Sequence, residues 1–167
     1  APEPRQGSPG GGGVKFGAVP VGEAAGTILA HSVRAGGVTL KKGMRLSAAD
    51  IAALGAAGVV EVVVAQLEPG DVHEDAAAER LAHAVAGEGV RVEPAFTGRS
   101  NLYATAAGVL VVDAAAVDRL NCLDPAITVA TLSAYAVVEA GRMVGTVKII
   151  PYAVPGAALD AALAAAG

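Results

Sequence analysis

The run Val129–Val154, VATLSAYAVVEAGRMVGTVKIIPYAV, is the strongest constraint on how this chain can fold. Its apolar residues come in short stretches broken at Glu139-Ala140-Gly141-Arg142. That pattern spells two short strands, a turn, and a third strand ending at Pro151. Elsewhere too, strand-like segments are not separated regularly by helices, which argues against a doubly wound parallel sheet. The expected class is α+β, with small mixed β-sheets or a barrel-like lobe and peripheral helices.

The chain divides into four stretches. Residues 1–13 are polar and rich in Gly and Pro, the composition of a disordered tail or linker. Residues 14–66 read as a first β-rich lobe with one helix. Val14 to Val21 is extended, Glu23 to Gly26 turns, and Thr27 to Val33 is a strand. Gly36-Gly37 returns the chain to Val38–Leu40, and Lys41-Lys42-Gly43 turns again. Ser47 caps a helix running to about Ala57, with Asp50 in its first turn and Gly58 ending it. Val59–Ala65 is almost wholly apolar, so a strand buried on both faces is expected.

Residues 67–155 form a second, α+β lobe. A helix opens at Asp71 or Val72 and runs to about Ala86. Short extended pieces follow at Val90–Pro94 and Leu102–Ala106. Asp113 then caps a helix at Ala114–Asn121. Residues 156–167 are a terminal helix of Ala and Leu, read either as a frayed end or as the start of a linker to a further domain.

Aromatic residues make up only 3% of the chain and Trp is absent, so Ala and Val must fill the interior by close packing. The net charge of −4 argues against a nucleic-acid partner, which needs a positive surface. No apolar run approaches the roughly 20 residues that span a bilayer, so a membrane role is not expected and the default compartment is cytoplasmic. Cys122 is the single cysteine, which rules out an intrachain disulfide. Its neighbours suggest a half-buried structural thiol.

No metal site is expected. His73 and His83 are not spaced to share a helix face, and His31 falls in a strand. Glu68, Asp71, Glu74, Asp75 and Glu79 read as a solvated, dipole-compensating face, or as carboxylates for magnesium with no phosphate fixed beside them. No nucleophile elbow or phosphate-binding glycine loop is present. The densest polar cluster is Thr97-Gly98-Arg99-Ser100-Asn101. Read as an anion-binding loop, Gly98 permits close approach, Arg99 supplies a bidentate fork, and the other three add hydroxyl and amide groups. Read as a capped turn, Asn101 and Thr97 satisfy backbone groups and Arg99 pairs with a surface acid. Lys148 points outward beside Arg142 as an edge-strand lysine or, less simply, as a ligand.

A resemblance bears on this choice. Gly26–Val33, Leu40–Gly43, Leu46–Ile51 and Leu54-x-x-x-Gly58 resemble the amino-terminal part of the molybdopterin molybdenumtransferase-like family of molybdopterin-binding proteins. Phe96–Leu102, Val112-Asp113, Leu120-Asn121, Ile127–Leu132 and Lys148–Pro151 resemble a bacterial subgroup of it. The resemblance covers about Val14 to Val154. It implies an accessory amino-terminal domain involved in handling or making the molybdenum cofactor. Molybdopterin or the finished cofactor would be the ligand, held in part by Thr97, Gly98, Arg99, Ser100 and Asn101. A following molybdopterin-binding domain or a homo-oligomer would be the partner. The family's Thr-Gly-Asp-Glu-type loop does not occur in this sequence, so catalysis is not expected of this stretch alone. The alternative is a stand-alone small-β binding or protein-interaction module with no pterin link.

Overall fold

The computed structural model describes residues 15–167, so the expectation of a disordered tail at 1–13 lies outside the described residues. The molecule is α+β, with several small sheets in which every strand pairing is antiparallel among the described residues.

The first unit holds β1 (Lys15–Pro20), a single 3-10 turn at Val21–Glu23, β2 (Ile28–Leu29), β3 (Val33–Ala35), β4 (Val38–Leu40), α1 (Ala48–Ala56) and β5 (Glu61–Gln66). The sheet order is β1-β5-β2, with β3 and β4 as a separate hairpin. The local signals around α1 act as read. Ser47 Oγ accepts from the Asp50 amide at 3.2 Å, and the Asp50 carboxylate accepts from the Ser47 amide at 2.9 Å, closing a capping box. At the far end Gly58 takes φ +77°, which lets Val59 N–H reach Leu54 O and Gly58 N–H reach Gly55 O. This pair of bonds satisfies carbonyls that the helix leaves open.

Two expectations for this unit are corrected. Thr27–Val33 is not one strand: the chain leaves the sheet after Leu29, bends through 30–32, and re-enters a different sheet as β3. Val59–Ala65 is not buried on both faces. Val62 and Val64 are buried against Leu54, while Glu61 is exposed and Val63 is 39% exposed. A three-stranded sheet with its cover on one side gives this alternation.

The second unit holds β6 (Asp71–His73), α2 (Glu74–Val85), β7 (Val90–Val92), β8 (Arg99–Ala104), β9 (Gly108–Val109), α3 (Ala114–Asn121), β10 (Ile127–Thr131), β11 (Val137–Val138), β12 (Met143–Ile149), β13 (Ala153–Pro155) and α4 (Gly156–Ala166). Its main sheet runs β10-β12-β8-β7. One face of that sheet presents Leu102, Ile127, Val129, Val147 and Ile149 to Leu81 of α2, Leu120 of α3 and Leu159 of α4, forming the larger core. The strand, turn and strand read from Val129–Val154 appear as β11, a turn at 140–141, and β12. Asp113 accepts from the Ala116 amide at 2.9 Å and starts α3 as expected.

Further expectations in both units are corrected. Asp71–His73 do not open a helix but pair as β6 with β13, and His73 Nδ1 caps α2 by accepting from the Asp75 amide. His31 sits in a bend rather than a strand. Cys122 is exposed, not half-buried. The terminal helix packs against α2 and α3 with Leu159 and Ala162 buried, so it is part of the second core.

Tyr152 ties the two units together. Its hydroxyl donates to Ala30 O at 3.3 Å, its ring lies 5.9 Å from that of Phe16, and its carbonyl accepts from the Glu74 amide at 2.9 Å. Tyr152→Phe removes one half-buried hydrogen bond and is expected to cost about 1 kcal/mol. Tyr152→Ala also removes the ring contact and is expected to cost roughly 2–3 kcal/mol. Urea denaturation of both variants measures the difference.

Candidate anion-binding site

The five-residue run Thr97–Asn101 is not a loop. Phe96 and Arg99 exchange backbone hydrogen bonds at 2.9 and 3.2 Å across Thr97-Gly98. Thr97 has φ +50° and Gly98 φ +72°. Two successive positive φ values make this a tight hairpin turn of the primed type, whose twist matches that of the flanking strands. Arg99 then opens β8, and strand alternation splits the remaining residues between two faces.

Ser100 faces the core. It is buried, and its hydroxyl donates to Glu93 O at 2.7 Å. Gly98 is held from behind. Its amide donates to Asp75 Oδ1 at 2.7 Å and its carbonyl accepts from the Ile149 amide at 2.7 Å. A Cβ at this position would lie 2.6 Å from Ile149 O and 2.7 Å from a Glu74 carboxylate oxygen. The expectation that Gly98 and Ser100 meet a ligand directly is therefore corrected: both are committed to the protein. Asn101 is half-committed, donating to Glu93 Oε2 at 3.2 Å and accepting from Thr146 Oγ1 at 3.0 Å.

Arg99 is exposed and stands directly opposite Lys148 in the β8–β12 register. Lys148 is thus beside Arg99 rather than Arg142, and β12 is an interior strand, not an edge. Side chains so opposed start about 5 Å apart, and like charges there repel. Among the described residues neither cation has a carboxylate within ion-pair distance; the pair that forms is Arg80–Asp160, elsewhere. Glu93, Pro94, Phe96, Thr97, Arg99, Asn101 and Lys148 line one depression on the outer sheet face, so one carboxylate shares it with the two cations; Phe96 is 77% exposed. The chemistry available there is charge-assisted hydrogen bonding to an oxyanion, through a planar guanidinium fork and a neighbouring ammonium.

Behind the turn lies a group that sequence reasoning missed. Glu74 was expected on a solvated face, yet it is only 7% exposed. Burial, reinforced by the Asp75 charge and partly offset by Lys42, pushes its carboxyl up to about 7. The local sequence shows merely a first-turn helix acid. Its burial follows from the pairing of β6 with β13 and the packing of the Thr97-Gly98 turn over it. Among the described residues no group of three His, Cys, Asp or Glu side chains is placed to hold a metal ion, and no helix is long and apolar enough to cross a membrane.

A family model described as a domain of unknown function (DUF8806) matches residues 18–66, the stretch from β1 to the end of β5. Neither a curated protein nor a solved structure matches the chain. The first unit is therefore similar to a family that carries no stated activity, and the depression lies outside the matched stretch.

Two outcomes test this geometry. Gly98→Ala puts a side chain into a backbone carbonyl at a positive φ and is expected to lower stability by more than about 2 kcal/mol, read by thermal or urea unfolding. For Glu74, the folded chain holds a proton that the unfolded chain releases at about 4.5. Its contribution is fully present below that pH and is lost as pH rises to about 7. Stability should fall across this window by on the order of 1–3 kcal/mol, and Glu74→Gln should flatten the fall and exceed the native chain at pH above about 7.

Proposed function

We propose that this chain is the amino-terminal accessory region of a molybdopterin-binding protein, with a role in molybdenum-cofactor biosynthesis or handling. The observation that carries this reading is the Arg99–Lys148 pair in the outer-face depression, which has no ion-pair partner among the described residues. A phosphate fits that pair: two cations converge, Thr97 is on the rim, and Asn101 keeps part of its hydrogen-bonding capacity. The residues fit the phosphate end of a pterin cofactor. For its ring they offer only the exposed face of Phe96. The chain would act in concert with a following molybdopterin-binding domain or a second copy, presenting the anion rather than performing chemistry on it.

The test is calorimetric titration of the chain with molybdopterin and, separately, with inorganic phosphate. Arg99→Ala is expected to weaken both by more than about ten-fold, since a charge-assisted bond contributes roughly 1.5–3 kcal/mol. Lys148→Ala should weaken them less, and Ser100→Ala not at all when corrected for folding. Undiminished binding in Arg99→Ala would overturn the site, and phosphate binding without molybdopterin binding would overturn the pterin assignment.

A second reading, a stand-alone small-β interaction module with no pterin link, is favoured by one feature. Val109 and Val137 face each other across β9 and β11 and are 57% and 84% exposed, an apolar ribbon of the kind that covers a protein partner.

A further inference from the structure

The second core is built without aromatic side chains, from Leu, Ile, Val and Ala. It leaves a cavity of about 200 Å³ on the helix-covered side of the main sheet, opposite the anion-binding face. The sheet contributes Leu102 and Val144, α3 contributes Val117 and Leu120, α2 contributes Val85, and Leu110 follows β9. Its charged lining residues are Glu88 and Asp113, both acids and both exposed. No Lys or Arg lines it among the described residues.

Protein interiors normally hold few voids larger than a water molecule. The Leu and Val side chains of this cavity's floor offer water no hydrogen-bond partner, while its rim, with Glu88, Asp113 and Thr131 exposed, opens to solvent. Closed apolar cavities of about 150 Å³ accept benzene, and the floor of this pocket has the same kind of lining on its inner side. The space here has room for a ring with a short side chain. The carboxylates of Glu88 and Asp113 favour a positive charge on that side chain and oppose a negative one. Asp113 Oδ1 also caps α3, accepting from the Ala116 amide at 2.9 Å.

We propose that this cavity is a binding site for a ring-sized apolar molecule that is neutral or positively charged. It is independent of the anion site and of the function assigned there. The side chains that line it are not those that face Arg99 and Lys148, so occupancy of one can be read without the other.

The test titrates the whole chain with benzene, phenethylamine and phenylacetate while the methyl resonances of Val85, Val117 and Leu120 are followed by NMR. Benzene and phenethylamine are expected to shift these methyls and leave those of the first unit unmoved. Phenylacetate is expected to bind at least ten-fold more weakly than phenethylamine. Val117→Phe fills the space and should abolish the shifts while the circular dichroism is retained; if that variant does not fold, Ala116→Leu makes the same comparison. Absence of shifts with all three probes would overturn the site, as would shifts that persist in a folded, filled variant. Equal affinity for phenylacetate and phenethylamine would overturn the charge preference.

Discussion

The second unit depends on how the Thr97-Gly98 turn is clamped. Gly98 gives its amide to Asp75 at the start of α2 and takes a bond from Ile149 at the end of β12. Three elements distant in sequence are thereby fixed at one residue without a side chain. The register of β8 on β12 follows from that clamp, and with it the placement of Arg99 against Lys148. The energetic logic is one of commitment. A buried amide without a partner is costly, so Asp75 is held as firmly as the turn it binds. Glu74, next along the helix, is then pressed against the same turn and loses contact with water, which makes it hard to ionise.

This arrangement commits part of a polar sequence to structure and leaves the rest exposed. Gly98 and Ser100 hold the hairpin, and Asn101 braces Glu93 and Thr146. What remains uncommitted is Arg99, Lys148, the rim hydroxyl of Thr97 and part of the capacity of Asn101. The main sheet then presents two unlike surfaces: a cationic depression on one side, and an aromatic-free core with an unfilled apolar space on the other. A chain whose net charge is −4 thus places two like-charged side chains opposite each other, neither in an ion pair among the described residues.

Much of the fold was legible where the determining contacts are local. Ser47 and Asp50 cap each other three residues apart, Gly58 closes the same helix, Asp113 begins the next, and Gly36-Gly37 turn a hairpin. What was not legible depends on partners far along the chain. Asp71–His73 looked like a helix start because its strand partner is Ala153–Pro155. The same pairing brings Tyr152 over Glu74 and buries a carboxyl that by itself reads as a surface acid. The run Thr97–Asn101 is legible as the chief polar cluster, as a loop or a capped turn; the turn holds for Thr97-Gly98, and the rest is strand. Placing the strand start at Arg99 would have separated Ser100 from its neighbours by alternation alone. Lys148 offered the same signal, standing between the buried Val147 and Ile149. The apolar cavity left no mark in the sequence beyond the scarcity of aromatic residues to fill it.

The most direct measurement is amide hydrogen exchange at Gly98, followed residue by residue in the native chain and in Asp75→Ala. The clamp requires the Gly98 amide to be as protected as those of β12 in the native chain, and to lose that protection in the variant together with affinity for phosphate. A Gly98 amide that exchanges as freely as a surface turn in the native chain would contradict the account at its foundation.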